Sequence, residues 1–124
     1  MQFLLVFLGG GLGSVLRFSI SKWIPFSPNQ FPWATLTANI LSCFILGLLF
    51  YIFINRTDLS QSQKVFFTAG FCGGFSTFST FSLENYQLLQ NGNWSLGIIN
   101  ILGSICLGLL GLWLGVQVAK MVFA

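Results

Sequence analysis

The sequence contains no histidine and only two acids, Asp58 and Glu84, among its 124 residues. Without histidine, metal-ligand clusters and imidazole-based acid/base catalysis lose their commonest participant. Five basic residues against two acids leave a formal charge of +3, too sparse for a nucleic-acid surface. Charged residues make up 6% of the chain, against roughly 25% in an ordinary soluble domain. The three prolines all fall between Ile24 and Pro32, where they stop helices and favour extended backbone. Cys43, Cys72 and Cys106 lie within apolar runs. Their spacing matches no disulfide or metal framework, so they are expected to be buried apolar fillers.

What the chain has in abundance is apolar surface. It is 55% hydrophobic and of a length for one domain, residues 1–124, so an all-α membrane protein is the leading class. Four segments approach the ~20 residues that span a bilayer. They run from Phe3 to Trp23, Trp33 to Ile54, Lys64 to Leu89 and Trp94 to Met121. Phe3 to Leu16 lacks the basic flank and cleavage site of a signal peptide and is expected to remain as the first helix. Trp23 and Trp33 bracket the proline loop and fit an aromatic belt. The polar stretch Asn55 to Gln63 and the short turn at Asn91-Gly92-Asn93 supply the other connections.

The third span holds the unusual stretch, Gly70 to Phe81. Glycine in a helix interior costs roughly 1 kcal/mol relative to alanine, and serine and threonine offer competing backbone hydrogen bonds. A break is therefore expected near Gly73 to Thr77. Non-helical backbone at membrane depth is tolerated where it is buried in protein or lines a wet cavity, and its freed carbonyls and amides can bind an ion. Ser76, Thr77, Ser79 and Thr80 alternate with Phe75, Phe78 and Phe81, a pattern suited to lining a narrow path.

Thirteen of the fourteen glycines fall inside the expected spans, where small residues let helix backbones approach. Gly97, Asn100, Ser104, Gly108, Gly111 and Gly115 form a stripe along the fourth span. Gly9 and Gly13 make a GxxxG pair in the first. Four short spans enclose little by themselves, so an oligomer is expected, and two-fold dimers are the commonest kind. The basic residues divide almost evenly between the two sides. The positive-inside rule thus allows insertion in both orientations and a dimer of opposite-facing subunits.

Several polar residues inside the spans could carry chemistry. Arg17 either snorkels to the headgroups with Lys22, draws anions to a pore mouth, or docks the break in the third span. Thr35, Asn39 and Ser42 share one helical face. Asn39 either joins two helices, worth on average roughly 0.6 kcal/mol, or donates to a dehydrating anion. Phe78 and Phe81 follow the break, and phenylalanine ring edges carry positive potential that can replace water around an anion. Glu84 is the only acid in a span. It is expected near the interface, paired with a basic group, although a proton-coupled exporter would also use such an acid.

These residues resemble the Fluc (CrcB-type) fluoride channels over nearly the whole chain. Gly10-x-x-Gly13-x-x-x-Arg17-Phe18 is similar to that family's first-span signature, and Thr35-Leu36-x-x-Asn39 to its second. Gly73-Gly74-Phe75-Ser76-Thr77-Phe78-Ser79-Thr80-Phe81, with Glu84, resembles its third. The resemblance implies four transmembrane helices per subunit, the third broken mid-membrane, in an antiparallel, dual-topology homodimer of a bacterial plasma (inner) membrane. It implies two fluoride pathways lined by Asn39, Thr77, Phe78, Thr80, Phe81 and Ser104, with Arg17 in the vestibule. A structural sodium ion (Na+) at the dimer axis would be held by the backbone carbonyls of Gly73 and Ser76.

The chain departs from the family pattern at Ala34 and Ser42, where glycine is usual, and at Ser76, where threonine is usual. Asn100 stands where many members carry tyrosine. The expected activity is passive, downhill export of cytoplasmic fluoride by a non-enzymatic protein whose partners are fluoride, lipid and a second copy of itself. The alternatives are a proton-coupled exporter of the small multidrug-resistance type, although this first span has no acid, and a non-transporting membrane subunit.

Overall fold

Uninterrupted apolar sequence produces the long helices. A computed structural model describes residues 1–124, in which α1 spans Gln2–Trp23, α2 Trp33–Asn55 and α6 Trp94–Phe123. All three are long and apolar enough to cross a membrane. The protein is helical throughout, as its composition predicts. Between α2 and α6 the chain takes a fragmented helical path. It comprises α3 (Gln61–Val65), a wide π-helical stretch (Phe66–Cys72), α4 (Gly73–Phe75) and α5 (Ser79–Gln90). The π-helical stretch was not expected from the sequence; such local widening is frequent at functional sites.

Local chemistry explains where the pieces start and stop. Ser60 opens α3 with a capping box in which Ser60 Oγ accepts from the Gln63 amide and the Gln63 side chain accepts from the Ser60 amide. At the far end of α5 the Gly92 amide donates to the Leu89 carbonyl and the Asn93 amide to the Leu88 carbonyl. Gly92 takes φ +77° there, a left-handed conformation that glycine adopts without strain. Asn93 Nδ2 then donates to the Pro28 carbonyl at 2.8 Å, tying this turn to the proline loop at one end of the bundle.

Close backbone packing sets the helix order. α2 packs chiefly on α6, and α1 on the π-helical stretch and α4. A Cβ built on Gly9 would lie 2.6 Å from the Phe66 carbonyl oxygen, and one on Gly13 2.6 Å from the Phe75 amide. A Cβ on Gly115 would meet the Phe44 carbonyl, and one on Gly47 the Leu112 carbonyl. These glycines bring main chains together where side chains would hold them apart. The small buried cluster of Ile20, Ala34, Ala38 and Phe75 lies where α1, α2 and α4 meet. Most large apolar side chains face outward, including Phe3, Phe7, Trp23, Trp33 and Trp113. Cys72 is buried, but Cys106 is exposed on α6 and corrects the expectation that all three thiols are fillers; exposed apolar faces are normal in a helix that meets lipid.

Candidate functional site

The interruption opens at Ser76, inside the expected stretch Gly73 to Thr77 and at its far end. Gly73 to Phe75 stay helical, and the backbone turns extended at Ser76, with φ −79° and ψ 158°. Glycine only lowers the cost of a break. Hydrogen bonds from neighbouring side chains decide its position. The Thr77 amide, which a continuous helix would direct at the Gly73 carbonyl, donates to Asn39 Oδ1 at 2.8 Å. Asn39 Nδ2 in turn donates to the Thr77 carbonyl at 3.2 Å. One asparagine therefore satisfies both polar atoms of a non-helical residue, as buried backbone requires. The Thr80 amide, which would otherwise reach the Ser76 carbonyl, donates to Thr77 Oγ1 at 3.2 Å and starts α5. The helical partners of the Gly73 and Ser76 carbonyls are both diverted.

The rest of the α2 seam holds the same segment. Ser42 Oγ donates to the Cys72 carbonyl at 3.0 Å, as does Ser76 Oγ. Thr35 Oγ1 donates to Glu84 Oε1 in a buried bond. Thr35, Asn39 and Ser42, which the helical period places on one face, thus grip the segment above, at and below the break. From α1, Arg17 Nε donates to the Gly74 carbonyl at 3.1 Å. This bond docks the segment that precedes the break, one of the roles open to Arg17. Lys22 lies 5.1 Å from the Phe18 ring centroid.

Glu84 corrects an expectation. It is 5% exposed and bonded to a neutral hydroxyl, with no basic partner. The only ion pair in the chain joins the exposed Arg56 and Asp58 at 4.0 Å. The cause is the partner helix: Glu84 reaches Thr35 on α2, a helix with no basic residue.

Two hollows flank the break. One, of about 230 Å³, is lined by Arg17, Phe18, Ser21, Thr35, Thr77 and Thr80. The other is an open groove of about 280 Å³ lined by Asn39, Ser76, Thr77, Phe78, Phe81 and Ser104. Every pathway residue expected from the sequence borders one hollow or the other, and Thr77 borders both. Phe78 and Phe81 stand with ring centroids 5.8 Å apart. Phe78 is 79% exposed, so the groove has a wall on one side only.

Asn100, part of the stripe along the fourth span, belongs to a buried amide pair behind the groove. Asn100 Nδ2 donates to Asn85 Oδ1 at 2.8 Å, and Ser104 Oγ to Asn100 Oδ1 at 3.1 Å. Asn85 Nδ2 has no partner. Asn100 carries a signal, as a strongly polar residue in an otherwise apolar span, whereas Asn85 sits among the polar residues of α5 and carries none. Nothing in the helical period, however, announces that Asn85 and Asn100 face each other.

Three helices able to cross a membrane, packed around an interrupted third segment with a hollow on each side of the interruption, are the architecture of a multi-pass membrane protein. Residues 4–116 match the family model described as CrcB-like protein, Camphor Resistance (CrcB), and the chain belongs to that family. A relative from Magnetococcus marinus is 42% identical, the match covering 98% of this chain and 100% of the relative. One from Phocaeicola vulgatus is 44% identical, covering 94% and 97%. One from Serratia proteamaculans is 47% identical, covering 93% and 94%. Each bears the name fluoride-specific ion channel FluC, so the relatives are channels and not enzymes.

Proposed function

We propose that this chain is a fluoride-selective passive channel of the bacterial plasma membrane that vents cytoplasmic fluoride down its electrochemical gradient. The observation that carries the reading is the groove beside the break, where Asn39, Phe78, Phe81 and Ser104 converge. Fluoride holds its water tightly, so a pore must replace that water with other donors. An asparagine amide, hydroxyls and the positive edges of phenylalanine rings are such donors, and no acid borders the groove to repel an anion. The names of the relatives support the same substrate. Hydrogen fluoride crosses membranes uncharged and ionises inside, and a negative membrane potential then drives the anion out.

The one-sided groove and the exposed Phe78 favour a second copy as the missing wall. An antiparallel, dual-topology homodimer would complete two such pathways. The sodium ion implied by the family fits the donors present. The Gly73 and Ser76 carbonyls have lost their helical amide partners to Asn39 and Thr77, and neutral carbonyl oxygens suit a hard cation. Four of them, two from each subunit, would hold the ion at the dimer axis and fix the two breaks against each other.

The test is fluoride efflux from liposomes containing the purified protein, read with a fluoride electrode and repeated with chloride. Valinomycin-triggered fluoride release with little chloride release is expected. The buried Glu84 favours one rival, a proton-coupled exporter. Fluoride release that appears only when a pH gradient is imposed would replace the channel with that exporter.

A further inference from the structure

The buried amide pair behind the groove is not used by the pathway described so far. Asn85 and Asn100 are 5% and 1% exposed, and Asn85 Nδ2 is the only buried side-chain polar atom without a partner. An orphaned donor of this kind costs roughly 1–3 kcal/mol. Ser104, which borders the groove, spends its hydroxyl proton on Asn100 Oδ1. In that arrangement it turns lone pairs toward the groove, and lone pairs repel an anion.

Both amides can be reversed in place, because the oxygen and nitrogen of an asparagine side chain occupy nearly the same positions. Asn85 Nδ2 then donates to Asn100 Oδ1 across the same 2.8 Å separation, and Asn100 Nδ2 donates to Ser104 Oγ across the same 3.1 Å. The hydroxyl proton of Ser104 is released toward the groove. The atom left unpartnered at Asn85 becomes a carbonyl oxygen, so each direction leaves one polar atom of Asn85 unsatisfied. The chain of three side chains therefore has two directions, one inward and one toward the groove, and an anion in the groove favours the second.

We infer that Asn85 and Asn100 are positioning residues, a reversible amide relay that turns the Ser104 hydroxyl into a hydrogen-bond donor when an anion occupies the groove. The inference rests on the proposed channel reading. Neither asparagine touches the ion; each acts through Ser104. The Asn100 side chain does this as acceptor toward one neighbour and donor toward the other.

The test uses the shape-matched pair Asn85→Thr and Asn85→Val, which differ by one hydroxyl donor, each made with Ser104 present and with Ser104→Ala. Fluoride efflux from liposomes is measured over a range of fluoride concentrations. With Ser104 present, the Thr variant is expected to conduct roughly five- to tenfold faster than the Val variant at low fluoride, the span of one neutral hydrogen bond. With Ser104→Ala the two are expected to conduct equally, since the relay then has nothing to orient. A Thr-to-Val difference of the same size in both backgrounds would mean that the hydroxyl at position 85 acts independently of Ser104 and would overturn the relay. Equal rates with Ser104 present would overturn it as well. Should the Asn85 variants fail to fold, Asn100→Gln and Asn100→Leu in the same two backgrounds give the same comparison. Unmodified protein that passes no fluoride would remove the channel reading itself, an outcome distinct from conduction without coupling to Ser104.

Discussion

Phe78 and Phe81 present paired rings to a groove that they share with Asn39, Ser76, Thr77 and Ser104 and with the apolar Cys43 and Ile105. Isoleucine keeps most of the bulk and removes the aromatic quadrupole. Phe78→Ile and Phe81→Ile should each lower fluoride efflux at least tenfold, with the purified protein still monodisperse. Unmodified flux in both would remove the two rings from the pathway. Thr35 gives a prediction about stability. Its hydroxyl is the only side-chain partner of the buried Glu84, so Thr35→Val leaves that carboxyl group unbonded at a cost of roughly 1–3 kcal/mol. The detergent-solubilised variant should unfold several degrees below the parent, and Thr35→Ser should recover most of the loss. A Thr35→Val protein with the parent's unfolding temperature would mean that the bond contributes nothing.

At the scale of elements, glycine contacts decide how closely α1 approaches the broken segment. A Cβ on Gly13 would collide with main-chain atoms of Phe71 and Phe75, whereas one on Gly103 would meet nothing within the chain. Gly13→Ala should destabilise by about 1–3 kcal/mol, and Gly103→Ala should not, as read by thermal unfolding in detergent. Equal behaviour of the two would mean that the α1 contact adapts without cost. The long helices were legible because apolar runs of bilayer length have one stable solution in lipid. The seam of Thr35, Asn39 and Ser42 was legible because the helical period is strict. The starting residue of the break was not, since Asn39 chooses Thr77 across 38 positions of sequence. The π-helical stretch over Phe66–Cys72 was equally hidden, because its residue types also suit an ordinary helix. The partner of Glu84 is hidden for a related reason: Thr35 lies 49 positions away in the sequence, and no local pattern encodes that contact.

For the whole molecule, the decisive question is what completes the groove. If two copies meet through their breaks, sodium bound by Gly73 and Ser76 carbonyls should be held tightly and exchange slowly. Protein purified without sodium should lose thermal stability, and sodium should restore it. An unchanged dimer, with no density on the two-fold axis in crystals soaked free of sodium, would remove the ion from the account.

The supports of the break share one property. Arg17, Asn39 and Ser42 all bind main-chain atoms of the third segment, at Gly74, Thr77 and Cys72. Peptide groups are the same whatever side chain they carry. Most side chains of the third segment can therefore drift over evolutionary time while the bend endures, and their variation can be spent on which ion is admitted and how fast. Change at positions 17 and 39 is another matter, because those side chains border the hollows and also hold the frame. Lineages that retune the passage should keep these two supports, whereas position 42, where glycine is usual in the family, is free to vary.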